Sequence, residues 1–375
     1  MRIACISASQ VPSRAANSIQ VMKVCQALID LGHEISLWVP GNTPEEDWDT
    51  LLAHYGLRDT FPIHWLTAPL RLRRYDFALR AVQQAHYWEA ELFYVWPYQV
   101  AALASNLGRP TVLEMHDRPM GRLGPTLFRA FLKGSGALRI LPTTRVLAGM
   151  LEEQFQTTFP PGFVSISPNG VDLSRYADFP SAQKLRAELG LRESLTVGYT
   201  GHLYAGRGME MVVALAGRNP DVEFLVAGGE PNDVDRWQAV IAAENIRNVF
   251  LLGFVPNQRL PGIQGACDIL IMPHARQVRD SSGTDIAAVT NPMKSFEYLA
   301  AGRAIMASDL PILHEVLHDG NAVFLPPEDV DNWDAALKAL LKDPERREAL
   351  GRRAKEDARQ YTWLERERRA LEDLL

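Results

Sequence analysis

Asn291-Pro-Met-Lys-Ser-Phe-Glu-Tyr-Leu-Ala-Ala-Gly-Arg-Ala-Ile-Met-Ala-Ser308 reads as a tight turn, a helix carrying Lys294 and Glu297, a stop at Gly302 and a buried strand. A helix followed at once by an apolar strand is half of a βαβ unit, so the stretch predicts a parallel, doubly wound sheet. The free N–H groups and positive dipole end of the helix suit an anion. Glu297, one turn further in, is placed to accept two hydrogen bonds from a diol such as a ribose. An anion site beside a diol clamp describes a nucleoside diphosphate, although an ordinary amphipathic helix with Pro292 in its first turn uses the same residues.

The same rhythm runs along the whole chain of 375 residues, a length that suits two domains. Strands are expected at 3–6, 35–39, 92–95, 111–114, 138–141 and 164–166. After Asn169-Gly-Val-Asp172 the pattern restarts, with strands at 196–199, 223–227, 249–252, 269–272 and 304–307. A helix from Ser18 to Leu31, stopped by Gly32, follows the first strand. The expected organisation is a first Rossmann-like domain over 1–173, a second over 174–360, and a terminal helix over 361–375 that crosses back to the first. Two such domains facing a cleft would hold a ligand at the carboxyl ends of their strands.

Charge and composition narrow the function. A net charge of −6 and a pI near 5.9 argue against a nucleic-acid partner. From Trp65 to Met150 there are 11 Lys/Arg against 5 Asp/Glu, so the first domain is locally basic. Cys5, Cys25 and Cys267 lack metal spacing and read as buried free thiols of a reducing compartment. No apolar run is long enough to span a bilayer, and the N-terminus reads as a core strand, so a cytoplasmic protein is expected.

Several motifs sit at strand ends. Gly201-His-Leu-Tyr-Ala-Gly-Arg-Gly208 joins a strand to a helix, and its glycines allow a ligand near the backbone while Arg207 offers a forked donor to a pyrophosphate. A glycine-rich turn that binds nothing has the same appearance. Val226-Ala-Gly-Gly-Glu230 and Gly253-Phe-Val-Pro256 can hold a base through the backbone around Gly229, Phe254 and Val255, or be plain turns. Glu114-Met-His-Asp-Arg118 ends a first-domain strand, where His116 can donate to or orient a sugar hydroxyl, or rest as a half-buried histidine. The triplets Asp233-Val-Asp235 and Asp329-Val-Asp331 read as helix starts, not metal ligands, and no cluster has metal spacing. Arg118, Arg122, Arg129, Lys133 and Arg139 alternate with apolar residues. With Arg71, Arg73, Arg74 and Arg80 they form either a patch for anionic lipid headgroups or a solvated helix face.

Taken in order, these motifs resemble the retaining GT-B glycosyltransferases of family 4, the glycogen-synthase-like group. The resemblance is carried by Leu31-Gly-His-Glu-Ile35, His116, Pro168-Asn-Gly-Val-Asp172, Gly201 through Gly208, Ala227-Gly-Gly229 and Gly253-Phe-Val-Pro256. It continues through Ala266-Cys-Asp-Ile269, Phe296-Glu-Tyr-Leu-Ala-Ala-Gly302, Ala307-Ser-Asp-Leu-Pro311 and Glu315-Val316. The family likeness implies that Arg207 and Lys294 face a donor diphosphate, that Glu297 holds the ribose and that His116 approaches the donor sugar. Gly201 and His202 would lie beside the diphosphate, and the backbone of Thr290, Asn291, Pro292 and Met293 would cradle the distal phosphate. Ser13, Arg14, Asn17 and Arg118 would line the acceptor side.

The implied activity is metal-independent, retaining transfer of a sugar from a nucleoside diphosphate to a glycan or lipid-linked acceptor, with no cofactor. The expected setting is cell-surface polysaccharide or glycolipid synthesis, in the cytoplasm or at the inner face of the membrane. Two positions depart from the family pattern: Val289 stands where a Glu is frequent, with Asp285 nearby, and His202 where an Arg is frequent. A sugar-nucleotide epimerase and a non-catalytic partner subunit share the fold and remain alternatives. A dehydrogenase is disfavoured, because no Gly-x-Gly-x-x-Gly opens the first helix.

Overall fold

The computed structural model describes residues 1–68, 74–177, 180–277 and 288–374. Arg71, Arg73 and Asp285 therefore lie outside the described residues. The chain divides into two compact units, one formed by Met1–Asn169 with Trp363–Leu375 and the other by Gly170–Thr362.

The first unit holds six strands: β1 (Arg2–Ile6), β2 (Glu34–Pro40), β3 (Ile63–Leu66), β4 (Leu92–Val95), β5 (Thr111–Met115) and β6 (Ala137–Pro142). They form one sheet in the order β3-β2-β1-β4-β5-β6, and every pairing is parallel. Such strands are covered on both faces and so read as apolar runs; Leu92, Phe93, Tyr94 and Val95 are all buried. Helix α1 (Ala16–Asp30) starts two residues before the sequence suggests and ends at Leu31, with Gly32 at φ +85° turning the chain into β2. Four more helices follow between strands: α2 (Trp48–Tyr55), α3 (Tyr75–Tyr87), α4 (Tyr98–Asn106) and α5 (Gly124–Lys133). After β6 comes α6 (Arg145–Phe155).

The second unit repeats the scheme with β7 (Thr196–Thr200), β8 (Glu223–Ala227), β9 (Val249–Leu251), β10 (Ile269–Met272), β11 (Ala304–Ser308) and β12 (Ala322–Leu325). The order β12-β11-β10-β7-β8-β9 is the same arrangement as in the first unit, read from the opposite edge. In both sheets the winding reverses at one place, between β1 and β4 and between β7 and β10. Loops leaving those strands diverge there and open a crevice. The helices are α7 (Ala182–Glu188), α8 (Met209–Arg218), α9 (Pro231–Ala243), α10 (Leu260–Gly265), α11 (Met293–Ala301), α12 (Val330–Lys342) and α13 (Pro344–Asp357). A last helix, α14 (Trp363–Leu371), belongs to the first unit and packs on α1.

Three expectations are corrected. Residues 164–166 are not a strand: the chain there makes only a bridge from Val164 to Ile140, with Ile140 N donating to Phe163 O and Ser165 N to Ile140 O. Pro160, Pro161 and Gly162 before it and Pro168 after it leave too short a run for a ladder. The edge strands β3 and β12 were not expected. Each has four residues; β3 is only half-buried throughout and carries His64, while β12 is a short apolar run, Ala-Val-Phe-Leu, at the edge of its sheet. Asp233 does not cap α9, whose first residue is Pro231; it lies in the first turn and pairs with Arg236, whereas Asp329 does cap α12 by accepting from Asn332 N. The three cysteines are buried and free.

Candidate active site

In the second unit, β7 ends in a loop that must fold back tightly over the start of α8. Gly201 has φ +139°, and a Cβ there would lie 2.8 Å from Lys294 Nζ. Gly208 caps α8 at φ +92°, and a Cβ there would lie 2.1 Å from Pro273 O. Gly208→Ala is therefore expected to destabilise the protein by at least about 3 kcal/mol, through both left-handed strain and backbone overlap, as a lowered urea midpoint would show.

Lys294 projects from the first turn of α11 into this cradle. It is 8% exposed, its Nζ sits 3.9 Å from the Tyr199 ring centroid, and among the described residues that nitrogen has no hydrogen-bond partner. Burial pushes its pKa well below the ordinary value, Arg207 adds to the shift, and Glu297 opposes it. Arg207 donates from Nη2 to Tyr204 Oη at 2.9 Å and lies over the same ring, while its buried Nε has no hydrogen-bond partner among the described residues. His202 stacks on Tyr204, and burial, then Arg207 and Lys294, lower its pKa and favour the neutral ring. His274, just beyond β10, is fully buried, and among the described residues neither ring nitrogen is hydrogen-bonded; burial and then the same two cations push its pKa well down.

Two cations, Arg207 and the unsatisfied ammonium of Lys294, thus meet near the starts of α8 and α11. A buried ammonium without a partner is costly, and an anion is the group that relieves it. Glu297 borders the same region. Its Oε2 accepts from Gln264 Nε2 at 3.2 Å, and Gln264 in turn is held by Tyr176 and Thr200. Glu297 Oε1 has no partner among the described residues, so the carboxylate can still accept from a diol. Tyr298 Oη accepts from Thr200 N and fixes α11 against β7.

Thr290, Asn291, Pro292 and Met293 are half-buried at the entry to α11. Gly229, at φ +90°, packs against Leu203, and Gly228 N donates to Gly253 O, which brings the loop of Phe254 and Val255 beside that of Gly228 and Gly229, itself next to Gly201. Val289 is a buried apolar side chain.

In the first unit, His116 stands just beyond β5, with its side chain 37% exposed. Its Nε2 lies 2.8 Å from Glu114 Oε1. Glu114 is buried and also accepts from Gln20 Nε2, from Arg366 Nη2 at 2.6 Å and, through Oε2, from Tyr94 Oη at 2.6 Å. Burial pushes this carboxyl up, but Arg366, His116 and Tyr94 outweigh it and hold the pKa at about 2. Arg366 is 1% exposed and also bonds Glu367, Pro168 O and Ser167 O. Burial, partly offset by Arg366 and reinforced by Glu114, raises Glu367 to about 7.

Ser13 sits in the loop after β1, where its N donates to Tyr55 Oη at 2.8 Å; Arg14, Asn17 and Arg118 are exposed. Sequence reasoning missed Glu114, Gln20, Tyr94 and Arg366 as one cluster. The available sign was a carboxylate inside the apolar run Thr-Val-Leu-Glu-Met, two residues before His116 and hence on the same strand face.

Two doubly wound sheets of one strand order, one of them carrying this anion cradle, define the GT-B class of enzymes. The model for glycosyl transferases group 1 matches residues 181–357, and that for glycosyltransferase family 4 matches residues 18–175. The chain belongs to the family 4 type of GT-B glycosyltransferases. A phosphatidyl-myo-inositol mannosyltransferase of Mycolicibacterium smegmatis is 28% identical over 358 residues, covering 92% of this chain and 85% of the relative. A 2-deoxystreptamine glucosyltransferase of Streptomyces kanamyceticus is 25% identical over 209 residues, covering 53% of this chain and 52% of the relative. Among solved structures, Anabaena HepE in complex with UDP superposes with a TM-score of 0.75 at 18% identity, covering 100% of this chain and 99% of that one. Among the described residues no helix is long and apolar enough to cross a membrane.

Proposed function

We propose that this glycosyltransferase takes its sugar from a nucleoside diphosphate donor and transfers it with retention, without a divalent metal. The observation that carries the proposal is Lys294 Nζ, buried between Tyr199 and the Gly201 backbone and without a hydrogen-bond partner among the described residues. When the sugar–phosphate bond breaks, negative charge grows on the leaving diphosphate. Lys294, Arg207 and the N-terminus of α11 stabilise that charge in place, with no reorganisation at the moment of reaction. Glu297 receives the ribose hydroxyls, and the loops of Gly229 and of Phe254 and Val255 receive the base.

The acceptor is held by the first unit and is a lipid-linked or anionic glycan. Arg118, Arg122, Arg129 and Lys133 are exposed along α5 and the loop before it. Met120 and Leu123, at 59% and 39% exposure, add apolar contacts suited to a membrane surface. The mycobacterial relative also has a phosphatidylinositol acceptor in its name.

The test is thermal stabilisation by UDP, GDP, ADP, TDP and CMP and their sugars, with Mg²⁺ and with EDTA. A selective diphosphate at a hundred times its Kd should add about 2.7 kcal/mol in either buffer. No response to any nucleotide by a folded sample, or a response that EDTA abolishes, would overturn this reading.

A further inference from the structure

We propose that Glu114 is a positioning residue that fixes the tautomer of His116, so that the imidazole meets its substrate as a hydrogen-bond acceptor through Nδ1. The inference rests on the transferase reading for the identity of the substrate, but the geometry behind it does not. Glu114 is a buried carboxylate whose oxygens receive Gln20, Arg366, His116 and Tyr94. An ionised carboxylate only accepts, so the 2.8 Å contact requires the proton of His116 to be on Nε2. In the neutral ring Nδ1 then bears the lone pair, and it has no protein partner among the described residues. Of the two expected roles, donating to or orienting a sugar hydroxyl, this proposal keeps the second, because the donor of the neutral ring is already given to Glu114.

The direction matters for recognition. A lone pair at Nδ1 pairs with a hydroxyl that donates, and it repels a carbonyl or phosphoryl oxygen. His116 therefore selects for a sugar hydroxyl beside β5 and against any anionic oxygen in that place. The carboxylate cannot turn away, because it is pinned from α1 by Gln20, from β4 by Tyr94 and from α14 by Arg366. Arg366 is itself anchored on Pro168 O at 2.8 Å and Ser167 O at 3.1 Å. The last helix of the chain thus acts on a side chain that it does not touch.

Two measurements test this. Protein labelled with ¹⁵N-histidine is recorded by two-bond ¹H–¹⁵N correlation at a pH where the ring is neutral, with His116 assigned by its loss in His116→Asn. The expected pattern is the Nε2–H tautomer, mixed or reversed in Glu114→Gln; an Nδ1–H wild-type ring overturns the proposal. Secondly, His116→Asn places an amide oxygen near the Nδ1 position, whereas His116→Gln reaches only the Nε2 position. Asn should keep kcat within roughly tenfold of wild type while Gln loses roughly a hundredfold or more, at similar stability. Equal loss in both, or better activity in Gln, overturns it.

The tautomer is read without substrate. A protein that showed the Nε2–H ring but bound no nucleotide would sink the transferase reading alone. Nucleotide binding with the opposite ring would sink the positioning role alone.

Discussion

Lys294→Met is expected to give a more stable protein that has lost most of its activity. The ammonium is buried, unbonded among the described residues and close to a second cation, so the free protein bears a desolvated charge that methionine removes at similar volume. We expect a gain of about 1–3 kcal/mol in urea unfolding near neutral pH. Its pH dependence has a definite sign. Burial lowers the folded-state pKa of Lys294 below its ordinary value of 10.5, so the unfolded chain binds more protons between the two. Wild-type stability therefore rises with pH in that window, and the advantage of Lys294→Met shrinks as pH approaches 10.5. Turnover should fall roughly 10²–10³-fold, as for loss of one preorganised donor to developing charge. Stabilisation by a nucleoside diphosphate should fall with it. A variant less stable than wild type, with nucleotide response intact, would show that Lys294 serves packing and not the anion.

Arg366→Leu is expected to be among the most destabilising single changes in the first unit, at about 3–5 kcal/mol, because it strands a buried carboxylate without its cation. Glu114 and Arg366 are 0% and 1% exposed at the side chain and 2.6 Å apart, so no solvent is there to take over. The double variant Glu114→Gln/Arg366→Leu should recover at least about 2 kcal/mol of that loss, and a double-mutant cycle by urea unfolding measures the coupling. The acid limb should also move. In the wild type Glu114 titrates at about 2, below its ordinary 4.5, so its contribution is present above 4.5 and fades as pH falls toward 2. Without Arg366 the largest counterweight to burial is gone and only His116 and Tyr94 still act against it, so that pKa should rise from about 2 and the acid loss of stability begin at higher pH than in the wild type. Additive single losses would mean that the pair does not interact as its geometry requires.

Legibility from sequence followed burial. Glu223–Ala227 and Ile269–Met272 stand in the fold as read, because a strand covered on both faces must be an unbroken apolar run bounded by turns. Ile63–Leu66 was missed because an edge strand has one covered side and can carry a histidine without penalty. In the second unit, Gly201, Arg207, Lys294 and Glu297 came from two separated stretches and lie around one space, since each follows a strand end in the same sheet. What the sequence concealed was depth. Nothing in Asn-Pro-Met-Lys says that the ammonium has no partner. Equally, nothing in Glu114 alone reveals Gln20, Tyr94 and Arg366, which are brought in by α1, β4 and α14 from 94, 20 and 252 residues away. Pairings at such separations are set by tertiary packing and leave no local periodicity to read.

The return of α14 to the first unit also sets an order of assembly on the ribosome. The first unit is discontinuous, and its core waits for Trp363–Leu375 while Gly170–Thr362 is being made. At roughly 5–20 residues per second, that interval lasts on the order of ten to forty seconds. Throughout it the nascent first unit holds Glu114 with no guanidinium to neutralise it, and the face of α1 that α14 will cover is bare. The second unit, encoded without interruption, is complete before its predecessor. A chain cut short by even its last dozen residues would lose Arg366 along with α14, leaving a finished second unit joined to a first unit that cannot close its own charge.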